Sequence, residues 1–236
     1  MIFSFKRMNA IFQKDLKDLT KNIYVGTSLL MPVLIAFMYG GMEDISIDAH
    51  YLIINLTLVA VAFFVQSALI AEEREKNTLR GLMLSPATIP EILGGKSLVS
   101  LFTTLITIVL CAMISGYEPN NLLFIGVGII ISSFFYLALG TLVGLLARTV
   151  IEASVIMLPV MFIFGFGSFL ELFVEKYSIL TFVKFMPNIQ LINFAEKVQA
   201  GSGIGETWSH LAFILVWFIG AAILTVFVYK KREMDD

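Results

Sequence analysis

The sequence predicts an all-α membrane protein. It has six transmembrane helices, an N-terminal interfacial helix, and short outer helices between spans five and six. Three observations carry that prediction. The 236 residues are 58% hydrophobic and 14% charged, against about 45–50% and about 25% in soluble domains. The charges are clustered, leaving uncharged apolar runs near the ~20 residues that cross a bilayer as a helix. Thirteen of the sixteen Lys and Arg residues fall in alternate connections between those runs, the kind of asymmetry that sets topology.

Residues 3–20 cannot be a span, because Lys6, Arg7, Lys14, Asp15, Lys17 and Asp18 interrupt them. Phe5, Met8, Phe12, Leu16 and Leu19 recur at helical spacing and define one apolar face. Residues 1–22 are therefore expected to form an amphipathic helix lying in the membrane interface, with packing against another subunit as the alternative. Residues 23–236 form a single transmembrane domain. Its spans are Ile23–Tyr39, Tyr51–Ile70, Leu98–Ser115, Leu122–Leu146, Ala153–Leu170 and His210–Tyr229. None has an interior Lys, Arg, Asp or Glu, as expected when a mid-bilayer charge costs at least about 2.5–3.5 kcal/mol. Connections 1–22, 71–97, 147–152 and 230–236 hold the thirteen bases, and 40–50, 116–121 and 171–209 hold three. Both termini are thus expected on the cytoplasmic side. No cleaved leader is expected, because the polar stretch 13–22 stands where an apolar run would be needed.

Residues 71–97 make the longest inner connection. Ala71-Glu72-Glu73-Arg74-Glu75-Lys76-Asn77-Thr78 continues the second helix out of the membrane. Leu79-Arg80-Gly81-Leu82-Met83-Leu84-Ser85 is mostly apolar yet on the water side, the mark of a partner surface. Pro90 fits the first turn of a short helix leading into the third span. Residues 171–209 are too apolar for a solvated loop. They predict two short helices, re-entrant or interfacial, divided at Pro187.

Several functions are excluded. A net charge of −2 gives no nucleic-acid footprint. One cysteine, Cys111, and two distant histidines, His50 and His210, offer no metal-ligand spacing. Gly95-Lys96-Ser97 resembles the end of a phosphate-binding loop, but the glycine that loop needs five positions earlier is Pro90. Glu72-Glu73 lacks the histidines a metalloprotease needs on the same side. No acidic pair in the spans marks a coupling-ion relay. Gly140 and Gly144 allow close helix packing, equally within the chain or between chains. Pro32 and Pro159 could kink the first and fifth spans.

The order of elements, the stretch Glu72–Leu79 followed by Leu82-Met83-Leu84-Ser85-Pro86, Ile92-Leu93-Gly94-Gly95-Lys96 and Pro187 resemble the permease subunits of type-2 ABC exporters. The resemblance covers nearly the whole chain. In that family the inner stretch typically reads Gly-Thr-Leu-Glu; here Asn77 and Arg80 replace the Gly and the Glu. The resemblance implies a permease working with a separate ABC ATPase subunit and a second permease copy, most simply as a homodimer in a cytoplasmic (inner) membrane. ATP and Mg would bind the partner, so this chain would be no enzyme and hold no cofactor itself. Residues 71–97 would be the coupling loop, with Leu79, Leu82 and Met83 as its apolar anchor. Glu73, Arg74, Lys76 and Arg80, beside Thr78, would frame it. The second and fifth spans would face the pathway, making Phe63, Phe64, Gln66, Met157, Met161, Phe162, Phe164 and Phe166 its candidates. Adaptable Met and aromatic side chains suit a hydrophobic or amphipathic cargo such as a drug, a lipid-like product or an antimicrobial peptide. The alternative is a stand-alone secondary transporter or channel.

Overall fold

A computed structural model describes residues 3–235, except residues 20, 43, 44, 77, 79–87, 172 and 175. The described residues form helices and no strands. In chain order these are α1 (Phe5–Leu19), α2 (Ile23–Tyr39), α3 (Ile47–Glu75), α4 (Ile89–Ser115), α5 (Leu122–Leu146), α6 (Val150–Gly165), α7 (Gly167–Glu171), α8 (Pro187–Gln199) and α9 (Ile204–Asp235). A 3-10 segment, Ser178–Phe185, precedes α8. Among the described residues, α3, α4, α5 and α9 each carry a stretch long and apolar enough to cross a membrane. The apolar parts of α2 and α6 are shorter. The chain is an all-α, multi-pass membrane protein.

Why the helices stop where they do is local chemistry. Ser46 Oγ accepts from the Ala49 amide at the start of α3, and Asn121 and Thr149 do the same for α5 and α6, satisfying amides the first turn leaves open. Thr88 and Glu91 form a reciprocal capping box around Pro90 at the start of α4. The helix then runs unbroken through Gly94 and Gly95, so the short lead-in helix predicted from Pro90 and the third span are one element. Gly116, at φ 68°, ends it in the left-handed conformation that glycine adopts without strain.

α3 is the pillar of the bundle. Its whole apolar stretch is buried, enclosed by α2, α4, α5, α6 and α8. The middle of α3, Leu58–Phe63, is wound as a π-helix. So is Met161–Gly165 at the end of α6, two residues after Pro159. Proline removes an amide from the helix ladder, and wide turns of this kind recur at functional sites. The two π segments touch. Residues predicted as one fifth span are thus α6, a break at Phe166 and the short α7.

Glycines set the closest approaches. A Cβ on Gly140 would lie 2.4 Å from the Phe63 carbonyl oxygen, and one on Gly144 2.8 Å from that of Ser67. The small-residue pair of the fourth span therefore serves packing of α5 on α3 within the chain. A Cβ on Gly128 would lie 2.6 Å from the Phe194 ring. That close contact seats α8 inside the bundle, with Ile189, Leu191, Phe194 and Ala195 buried. Trp217, mid-helix in α9, donates its Nε1–H to the Phe185 carbonyl at 2.8 Å.

A side chain at Gly140 must push two backbones apart. Gly140→Val is expected to destabilise the protein by about 1–3 kcal/mol, the usual cost of overpacking. Gly126→Val, where a Cβ meets nothing within 4 Å, is expected to leave stability unchanged. Thermal unfolding of the detergent-solubilised chain, followed by size-exclusion chromatography, compares the two.

Candidate functional site: the root of the coupling stretch

The apolar stretch read as the anchor, with Leu79, Arg80, Leu82 and Met83, lies outside the described residues. Its root does not. α3 carries Glu72, Glu73, Arg74 and Glu75 on its last turn, with Lys76 and Thr78 following. Each makes a specific contact.

Glu73 is buried at 7% exposure and meets two ammonium groups. Lys14 of α1 lies 2.7 Å from Glu73 Oε1, and Lys96 of α4 lies 3.2 Å from the same oxygen. Lys96 is 1% exposed and also meets Asp15 Oδ2 of α1 at 2.9 Å. Lys14 in turn lies 3.5 Å from Asp15 Oδ1. Two cations and two carboxylates make a neutral cluster shared by α1, α3 and α4. The Thr78 hydroxyl donates to the Glu73 carboxylate and, at 3.2 Å, to the Glu73 carbonyl. Partial burial works against the Lys14 charge, but the hydrogen bond and charge of Glu73 outweigh it and raise its pKa. Closer to the N-terminus, Arg7 lies 2.7 Å from Glu91 Oε1, and the Ser4 amide donates to the same carboxylate.

The other side of the root grips α5 and α6. Arg74 Nη1 donates to the carbonyls of Leu145, Leu146 and Ala147 at 3.1, 3.1 and 2.8 Å. Those carbonyls stand at the end of α5, where a cation also meets the negative end of the helix dipole. Glu75 Oε2 accepts from the Val150 amide at 3.0 Å, at the positive start of α6. Lys76 pairs with Glu72 at 2.5 Å on the exposed side. The stretch that follows is therefore rooted in a turn that holds α1, α4, α5 and α6 together.

α1 itself rests on α4. A Cβ on Gly95 would lie 2.9 Å from the Met8 carbonyl oxygen and from Ile11 Cβ, and one on Gly94 3.3 Å from Met8 Sδ. So the Gly-Lys-Ser run that imitates a phosphate-binding loop has another explanation. Gly95 admits α1, Lys96 centres the ion cluster, and Ser97 Oγ accepts from Gln66 Nε2 at 3.1 Å.

The pathway candidates fall into two groups. Phe63, Phe64 and Gln66 are buried within the bundle. Gln66 is a polar hub whose Nε2 also donates to Thr141 Oγ1 at 2.9 Å, while the Ser100 hydroxyl donates to its Oε1 at 2.8 Å. The α6 candidates lie nearer the surface. Phe162 is 67% exposed, whereas Met161 is buried and Met157 half-buried. Phe164 belongs to an aromatic cluster with Phe135, Tyr136 and Trp217, and the Phe166 ring lies 6.1 Å from that of Phe162. The two histidines serve local contacts, His50 Nδ1 at 3.1 Å from Ser115 Oγ and His210 Nδ1 at 2.7 Å from Gln190 Oε1.

Asp15, Lys96, Glu75 and Glu91 are not among the site residues expected from the sequence. Asp15 had a signal: with Met8, Phe12 and Leu19 it continues a 4, 3, 4 helical stripe, so a carboxylate stands where the apolar face should run. Lys96 had one too, as a lone charge next to an apolar run.

These features define a helical, multi-pass membrane protein whose α3 ends in a charged turn bonded to four other helices. A family model described as ABC-2 family transporter protein matches residues 20–227. The chain belongs to that family and is a permease component of an ABC-2 transporter. It is 21% identical over 237 residues to the "Putative transport permease YvfS" of Bacillus subtilis (strain 168), covering 93% of this chain and 95% of that one.

Removing one member of a buried ion cluster strands the others. Lys96→Met is expected to cost about 3–5 kcal/mol. The triple variant Lys96→Met, Asp15→Asn, Glu73→Gln, which removes the buried charges together, is expected to recover most of that loss. Thermal unfolding and release of α1 by limited proteolysis measure both.

Proposed function

We propose that the chain is the membrane half of an ATP-driven exporter. It works with a separate ABC ATPase subunit and a second permease copy, most simply as a homodimer in a cytoplasmic membrane with both termini inside. The cargo is hydrophobic or amphipathic. The observation that carries the reading is the charged, hydrogen-bonded turn just described, set against the family's general use of an ATPase partner. A nucleotide can shift the permease only through a difference in how the two states contact the ATPase. That difference must amount to several kcal/mol, roughly 5.5 for a complete switch. A contact carrying such work needs an apolar anchor held on a stiff base. Leu79, Leu82 and Met83 supply the anchor, and Arg80 belongs to its charged frame. Glu73, Arg74, Lys76 and Thr78 belong to the base, joined by Asp15, Glu75 and Lys96. Through Glu75 and Val150, movement of the base reaches the start of α6, which carries the pathway candidates Met157, half-buried, and Phe162, exposed.

The test uses the full chain, tagged and purified from cells that carry its own ATPase. Vanadate-sensitive ATP hydrolysis is expected to co-purify with the unaltered chain and to be lost with Leu82→Asp, Met83→Asp. If the doubly substituted chain still binds an ATPase and stimulates hydrolysis normally, the coupling assignment is wrong. Orientation is tested by single cysteines in a Cys111→Ala background. A cysteine at Asn120 is expected to react with a membrane-impermeant thiol reagent in intact cells, and one at Lys230 only after the cells are broken.

A further inference from the structure

A concave groove of about 390 Å³ opens on the outside of the bundle where α4, α5 and α9 diverge, with Met8 of α1 at one end. None of the described residues lining it is charged. Its polarity is graded. At the α1 end its wall carries the hydroxyls of Ser97 and Thr141. Ser97 stands one residue before the apolar run of α4 begins, and Thr141 five residues before α5 ends at Leu146, about 7–8 Å along the helix. Away from α1 the walls are Leu101, Phe134, Leu137 and Phe218. At helical rise the groove runs about 6 Å along α4 from Ser97 to Leu101 and about 10 Å along α5 from Thr141 to Phe134, within the ~15 Å of one leaflet's hydrocarbon.

We infer that this groove binds one phospholipid of the leaflet that holds α1, with an acyl chain between α4 and α5 and its ester region against Ser97 and Thr141. The matching of polar atoms to interface depth and apolar walls to chain depth selects an amphiphile with an ester region above an apolar chain. The Ser97 hydroxyl needs an acceptor, which a lipid ester carbonyl offers and an apolar helix face does not. Both hydroxyls are already oriented, since each accepts from the same amide, Gln66 Nε2. The Thr141 hydroxyl donates to the Leu137 carbonyl at 2.8 Å, while Ser97 keeps its proton for an ester carbonyl. The uncharged lining suits a zwitterionic lipid as well as an anionic one. The bound lipid would pack against Met8 of α1, two turns before Asp15 of the ion cluster, and so support the same helix. The inference rests on the chain crossing a bilayer, not on which side α1 faces or what the chain transports, so it stands or falls apart from the proposed function.

The experiment reconstitutes the full chain in vesicles containing phosphatidylethanolamine with a diazirine on one acyl chain, followed by photolysis and peptide mapping. Labelling is expected to concentrate on residues 97–101 and 134–141. It is expected to fall roughly tenfold in Ala138→Trp, which fills the groove. Leu98→Trp, at the 40% exposed rim, gives a second reading if the first variant fails to fold. Labelling spread evenly over all lipid-facing helices, or unchanged in the variant that folds, overturns the site. Cross-links from these residues to a second copy of the chain also overturn it, because they would make the groove a dimer face.

Discussion

An ammonium group that reaches almost no water must have its charge answered by the protein, and this constraint organises the α1 end of the molecule. Lys96 sits at 1% exposure with Asp15 and Glu73 within 3.2 Å. Because the three groups come from three different helices, satisfying one charge fixes the register of all three elements. Such clusters add little net stability over an apolar core, since the cost of desolvating each ion offsets most of the attraction. What they do impose is a strong penalty on any arrangement that separates the members. In a helix bundle surrounded by lipid, where apolar packing alone discriminates weakly between neighbours, that penalty is a source of specificity.

The same turn of α3 extends this order sideways. Arg74 closes the carbonyl end of α5, and Glu75 closes the amide end of α6. Both contacts pair a side-chain charge with the helix end of opposite partial charge. The short turn between α5 and α6 is thus held by α3 from one side. A displacement at the root cannot be absorbed there without opening several charge-assisted hydrogen bonds at once. Farther along, both α3 and α6 pass into π segments that touch each other. The wider turns lie between the charged root and the half of the bundle where α8 is inserted.

Polar chemistry inside the spans is sparse and mostly spent on locking helices. Gln66 joins α3, α4 and α5 through three side-chain hydrogen bonds. Hydroxyls such as those of Thr57 and Ser133 return to carbonyls four residues back. The buried position of α3 follows from the same economy. A helix that is apolar all round is enclosed when its neighbours bring glycine to it, as α5 does with Gly140 and Gly144.

The sequence by itself determined the class of protein, the existence of the amphipathic first helix, and the break at Pro187. Hydrophobic run length and charge placement are properties of single segments, and the bilayer reads them one segment at a time. It also placed the charged root, because Glu72 to Lys76 interrupt an otherwise apolar helix. Only the tertiary structure decided that Asp15 and Lys96 answer Glu73, that the glycine pair of α5 faces α3, and that α3 lies inside. It also decided that the Gly-Lys-Ser run serves packing. Each depends on which helix stands beside which, across up to 81 positions of chain for Asp15 and Lys96. Neither helical periodicity nor local charge pattern records that distance. The pairing emerges only when a buried charge and a missing side chain must both be matched by a neighbour.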